Sequence, residues 1–213
     1  MQGLLGKKIG MTRVFDASGH QIPVTVLDVG PCVVVQCKTR DHDGYTAVQV
    51  GFMEQKESRV DKPQLGHFKK AASPPMRHLH EFEVESGEEI KVGDRLTVAV
   101  FDGVEFVDIT GLTKGKGFQG VMRRHNMSGG PMTHGGHSKR RVGSIGCRSY
   151  PGRVHKNKRM PGHQGNVRVT QQNLKVVQVR GADNLLLVRG AVPGPKGAMV
   201  VIRSSIKKAK RAS

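Results

Sequence analysis

The chain has 213 residues, with 35 Lys and Arg against 17 Asp and Glu for a net charge of +18, and it contains no Trp and three Cys. Its apolar runs, such as 185–188 and 198–202, stop far short of the roughly 20 residues a membrane helix needs. Three scattered cysteines form neither a disulfide framework nor a four-ligand zinc set. The N-terminal stretch sets Leu4-Leu5 beside Lys7-Lys8 and lacks the apolar run of a secretory signal, so a cytoplasmic protein with reduced thiols is expected.

In chain order, 24–29, 33–37 and 45–52 are short β-branched runs, separated by Gly30-Pro31 and by the Asp41-His42-Asp43-Gly44 cluster. They predict successive strands joined by turns. Residues 63–90 place Phe68, Leu79, Phe82 and Val84 among Glu81, Glu83, Glu85, Glu88 and Glu89. This reads as an ordered, helix-containing insertion, with any helix interrupted at Pro74-Pro75. Runs 96–101 and 105–109 flank Asp102-Gly103, a hairpin signal.

A stretch of about 125–165 then follows, rich in Gly, Arg, Lys and His and without a period of 3.6 or 2, so it offers no face to pack. Beyond it, 174–179 and 185–188 predict a second hairpin and 199–202 a further strand. Many short strands without alternating helices point to a barrel or sandwich. The expected organisation is a discontinuous β-barrel domain of 1–124 and 166–213, with 125–165 as an extended basic arm.

Charge is distributed unevenly. Residues 1–108 hold 13 Lys and Arg against 16 Asp and Glu, whereas 109–182 hold 15 cations and no acid. A one-sign block of that size repels itself unless a polyanion neutralises it. With Phe118 and Tyr150 as its sole aromatics, the block is poorly supplied for stacking single-stranded bases. Neither a recognition helix nor a zinc module for duplex DNA is evident. Arg and Lys on glycine-rich backbone suit the phosphates and 2′-hydroxyls of a folded RNA.

The candidate RNA contacts are therefore Lys7, Lys8, Lys114, Lys116, Arg123, Arg124, His125, Asn126, His134, His137, Lys139, Arg140, Arg141, Arg148, Arg153, Lys156, Lys158, Arg159, His163, Gln164 and Arg168. At the C-terminus, Lys207, Lys208, Lys210 and Arg211 serve equally well as solvated surface charge.

Other chemistries fit the same residues poorly. The run 110–117 is glycine-rich and could present backbone N–H groups to phosphate, but Lys116 is followed by Gly117, so it is no Walker loop. His134-x-x-His137 with His125, His155, His163 and Cys147 gives one close pair and scattered singles among cations, a poor metal set. Gly143-Ser144-Ile145-Gly146 lacks the G-x-S-x-G spacing of a nucleophile elbow, and no acid in the segment could orient a base. The reading is a non-enzymatic RNA-binding protein without cofactor, metal, small-molecule substrate or membrane association. A general structured-RNA binder or RNA chaperone is the alternative, and a nucleotide-using enzyme built on 114–117 is the third class.

Longer motifs carry a specific likeness. Gly3-Leu-Leu-Gly-Lys-Lys-Ile-Gly-Met-Thr-Arg-Val-Phe15, Thr110-Gly-Leu-Thr-Lys-Gly-Lys-Gly-Phe-Gln-Gly120, Pro151-Gly152-Arg153-Val154, Lys158-Arg-Met-Pro-Gly-His-Gln-Gly165 and Asn184-Leu-Leu-Leu-Val-Arg-Gly-Ala-Val-Pro-Gly194 together resemble the bacterial form of the large-subunit ribosomal protein three family, over nearly the whole chain. The resemblance implies a translation-factor-like β-barrel seated on large-subunit rRNA, neighbours among other large-subunit proteins, an early role in subunit assembly, and no enzymatic activity. It also implies an arm threading toward the peptidyl transferase centre, with 140–153 at its tip. Ser149 stands where several members carry a methylated glutamine, His125 where many have Trp, and Pro161 where Ala is common.

Overall fold

The computed structural model describes residues 3–84 and 90–208; Glu85, Glu88, Glu89, Lys210 and Arg211 lie outside them. The described chain folds into β1 (Gly3–Phe15), β2 (Gln21–Val29), β3 (Cys32–Lys38), α1 (Arg40–Asp43), β4 (Ala47–Glu54), α2 (Lys62–Lys70), β5 (Met76–Glu83), β6 (Arg95–Leu96), β7 (Phe106–Leu112), β8 (Phe118–Gln119), α3 (Val121–His125), β9 (Gly162–His163), β10 (Arg168–Arg180), β11 (Leu185–Arg189) and β12 (Met199–Ser204). It divides into two compact units, Met1–Leu112 with Arg168–Ser213, and Thr113–Val167.

The first unit is built on a closed barrel in the order β1-β12-β7-β10-β11-β2, every neighbouring pair antiparallel. Closure leaves those strands without a free edge over their paired length. Leu4, Leu27, Val29, Val107, Ile109, Leu186, Val188, Val200 and Ile202 are buried in its core. In β7, Val107 and Ile109 are fully buried two residues apart, the spacing that puts both on one face of a strand, while Asp108 between them is buried at 8% exposure.

A four-stranded sheet, β5-β4-β3-β6, extends the same apolar core through Cys32, Val34, Val50, Phe52 and Phe82. On its other face, Phe68 and Ala71 from α2 and its C-cap cover Val33, Val35 and Met76. The helix carries Pro63 in its first turn, where the missing N–H would have no partner anyway. It ends at Lys70, before Pro74-Pro75. The 63–90 excursion thus supplies a helix and also β5, an edge strand of the sheet.

Two expectations differ from the structure. The runs around Asp102-Gly103 do not form a hairpin: 98–101 is a 3-10 helix. Val98 and Phe101, three residues apart, are both fully buried, and in a three-residue turn such positions share one face. The thirteen-residue β1 was also absent from the predicted strands. Gly3, Gly6 and Gly10 and the Lys7-Lys8 pair dilute its apolar signal, yet Leu4 and Leu5 are fully buried.

Candidate nucleic-acid interface

The chain leaves the barrel at Leu112 and re-enters it at Arg168, which are paired across β7 and β10. The intervening unit starts as a two-stranded stem. Thr113 N–H donates to Val167 O at 3.0 Å, Asn166 N–H to Thr113 O at 3.2 Å, Lys116 N–H to Gln164 O at 2.8 Å and Gln164 N–H to Gly117 O at 3.0 Å. The pairing continues through β8 and β9, Phe118 opposite His163 and Gln119 opposite Gly162. Gly165 is required here: its φ is +79°, and a Cβ would lie 2.0 Å from Lys114 O, where no side chain fits.

This ladder occupies part of the glycine-rich run 110–117. The amides of Thr113 and Lys116 already donate to Val167 and Gln164, and 110–112 belong to β7. The Thr113 and Lys116 amides are thus engaged in pairing and are not free to join an anion nest.

Beyond the stem, α3 buries Val121 and stops at Asn126, whose φ of 56° is a left-handed C-cap, a conformation Asn tolerates better than most residues. Residues 126–160 are then held by local turns: Gly130 N–H to Lys139 O at 2.9 Å, Gly136 N–H to Thr133 O at 3.1 Å, Arg141 N–H to Ser138 O at 2.8 Å. In the whole unit Val121 is the one hydrophobic side chain that is fully buried, so packing contributes little to its order.

Exposure sorts the candidate residues. Lys114, Lys116, Arg123, Asn126, His134, His137, Lys139, Arg140, Arg141, Arg148, Arg153, Lys156, Lys158, Arg159 and His163 are exposed members of this unit. Arg124, His125 and Gln164 are half-buried there. Since Thr113–Val167 contains no Asp or Glu, none of these cations has a carboxylate partner within the unit. Lys7 and Arg168 belong to the barrel unit, Lys7 half-buried and Arg168 exposed.

Lys8 is a correction. Its side chain is 8% exposed, and Nζ donates to Val192 O at 2.7 Å and Gly194 O at 3.0 Å. An ammonium placed on protein carbonyls inside the barrel is not available to a phosphate at the surface. The buried cation satisfies backbone acceptors of the 192–194 segment, as a buried charge must.

Among the described residues, no three His, Cys, Asp or Glu side chains converge as metal ligands would, and no helix is long and apolar enough to cross a membrane. Phe118 and Tyr150 are 77% and 87% exposed, so the two aromatics of the segment lie open at the surface. Sequence reasoning missed Met160, whose carbonyl accepts from Arg124 and lies beside His125 Nε2, and Gly162, whose missing side chain leaves room for the Arg124 guanidinium; neither residue type signals such a role.

A closed β-barrel unit that holds all the acids of the chain, joined to a coreless unit with twelve Lys and Arg and no carboxylate, defines a class, a β-barrel protein with a cationic extension. The family profile described as Ribosomal protein L3 matches residues 79–185. Large ribosomal subunit protein uL3 of Brachyspira hyodysenteriae is 50% identical over 98% of this chain and 96% of its own. The proteins of the same name from Corynebacterium jeikeium and Alkaliphilus metalliredigens are also 50% identical, over 97% and 99% of this chain and 95% and 100% of theirs. The chain belongs to the ribosomal protein L3 family, a structural and non-enzymatic family.

Proposed function

We propose that the protein is a structural constituent of the large ribosomal subunit that binds large-subunit rRNA directly, with neighbouring large-subunit proteins as further partners, on the cytoplasmic ribosome. The observation that carries this reading is that, of the twelve Lys and Arg side chains on 113–167, all but the half-buried Arg124 are exposed, without one carboxylate among them. Exposed guanidinium groups offer paired N–H donors in a fork that matches phosphate oxygens. Their binding releases condensed counterions and makes affinity fall with salt.

In this reading the folded barrel fixes position on the rRNA surface, and the stretch 125–165 is an arm that neutralises phosphates where a globular domain could not fit. Early binding during subunit assembly, and an arm directed toward the peptidyl transferase centre, follow from the family likeness and are part of the same proposal. The test compares binding of the purified chain to deproteinised large-subunit rRNA and to an unrelated folded RNA at physiological salt. Preference for the rRNA is expected. Equal affinity for both would favour a general structured-RNA binder.

A further inference from the structure

Two adjacent side chains of α3 converge on one backbone oxygen 35–36 residues away. Arg124 Nη1 donates to Met160 O at 2.8 Å, and His125 Nε2 stands 3.1 Å from the same oxygen. A carbonyl can only accept, so Nε2 carries the proton in this arrangement. The guanidinium fills the space over Gly162: a Cβ there would lie 2.6 Å from Nη1 and 3.1 Å from Cζ. Arg124 thus requires both an oxygen at 160 and the absence of a side chain at 162.

These bonds close the loop 126–159 at its base. Inside that loop the hydrogen bonds are local, the longest reaching from Gly130 to Lys139, and no apolar side chain there is fully buried. Nothing inside the loop therefore fixes how its two ends are spaced, and chain-closure entropy opposes any fixed spacing. Arg123, one residue earlier on the same short helix, is exposed and has no such partner in the stem.

We propose that Arg124 and His125 are positioning residues, which hold the Met160 carbonyl so that both ends of the cationic loop leave the stem in one register, while Arg123 is the member of the trio that meets phosphate. The proposal rests on the RNA-binding reading. It divides cations that look alike in sequence into those that order the protein and those that neutralise the ligand.

The experiment measures affinity for deproteinised large-subunit rRNA across a salt series, together with hydrogen exchange of 113–125 and 160–167 in the free chain. Arg124→Gln is expected to weaken binding about tenfold, the net worth of one charge-assisted hydrogen bond, with the salt slope unchanged and exchange accelerated. Arg123→Gln should lower the slope by about 0.7–0.9, one phosphate contact, with exchange unchanged. Gly162→Ala keeps every charge and displaces the guanidinium, so it should weaken binding and accelerate exchange at constant slope.

The proposal is overturned if Arg124→Gln lowers the slope as Arg123→Gln does while exchange stays as in the parent chain. It is equally overturned if Gly162→Ala leaves affinity and exchange untouched. Should the parent chain show no preference for rRNA, the functional reading fails, and the exchange data alone still decide whether the clamp exists.

Discussion

The carboxylate of Asp108 on β7 accepts the backbone N–H of Asn173 on β10 at 2.7 Å. Asn173 sits where the β7–β10 register shifts, between Gln171 and Leu174, with φ at 55°. A bulge leaves an amide without a ladder partner, and Asp108, 8% exposed, supplies the acceptor. Ser205 Oγ then donates to Asn173 Oδ1 at 2.6 Å, fixing the side chain as well. Asp108→Ala should destabilise the barrel by about 1–3 kcal/mol, the cost of an unpaired buried donor. Asp108→Asn, which keeps an acceptor oxygen, should cost less; urea unfolding at neutral pH distinguishes them.

A second prediction concerns pH. Glu81 accepts from Lys38 at 2.8 Å, Tyr45 at 2.8 Å and Gln49 at 3.2 Å. Those hydrogen bonds, Lys38 first, hold its carboxyl below the usual carboxylate range, while Glu81 and Tyr45 push the Lys38 ammonium up. A folded-state pKa below the unfolded one gives stability that is fully present above the unfolded value and lost as pH falls through the folded one. The parent chain should therefore lose this increment on acidification below the ordinary carboxylate range, and Glu81→Gln should lack that part of the acid limb. The effect should be small, because the pair is partly exposed and screened. Thermal melts of both chains at neutral and acidic pH measure it, and parallel acid limbs would contradict the assignment.

The three thiols should separate by accessibility. Cys147 is exposed. Cys32 is fully buried, its Sγ–H directed at Leu5 O at 3.5 Å, and burial pushes its thiol up to about 12. Burial also raises Cys37, beside Ile90 O at 3.3 Å. Since the thiolate is the reactive form, alkylation of the native chain should modify Cys147 first, Cys37 slowly, and Cys32 only on unfolding. Mass spectrometry of a timed reaction checks the order.

Much of this architecture was readable in the residues, for reasons that also explain the gaps. The strands at 24–29, 33–37, 174–179, 185–188 and 199–202 are short aliphatic, mostly β-branched runs bounded by Gly and Pro, which is local information. The pairing of β1 with β12, from opposite ends of the chain, depends on contacts that no window of sequence contains. At 98–101, burial of Val98 and Phe101 overrode a strand-like composition. Tyr45, the first residue of the expected strand 45–52, lies before β4 and hydrogen-bonds with the Lys38–Glu81 pair instead.

For the candidate interface, the absence of acids made the segment conspicuous, but charge alone does not say where a cation points. Lys8 and Arg124 read in sequence like Lys7 and Arg123, and only the positions of the Val192, Gly194 and Met160 carbonyls separate them.

The central claim is that the barrel carries selectivity for large-subunit rRNA and the cationic loop adds affinity. It is tested most directly by comparing the intact chain with one whose residues 126–163 are replaced by a short Gly-Ser linker, against that rRNA and an unrelated folded RNA, across a salt series. The account predicts that the shortened chain still prefers the rRNA but binds more weakly, with a salt slope reduced by about 0.7–0.9 for each phosphate contact removed. Loss of all preference on shortening, or an unchanged slope, would contradict it.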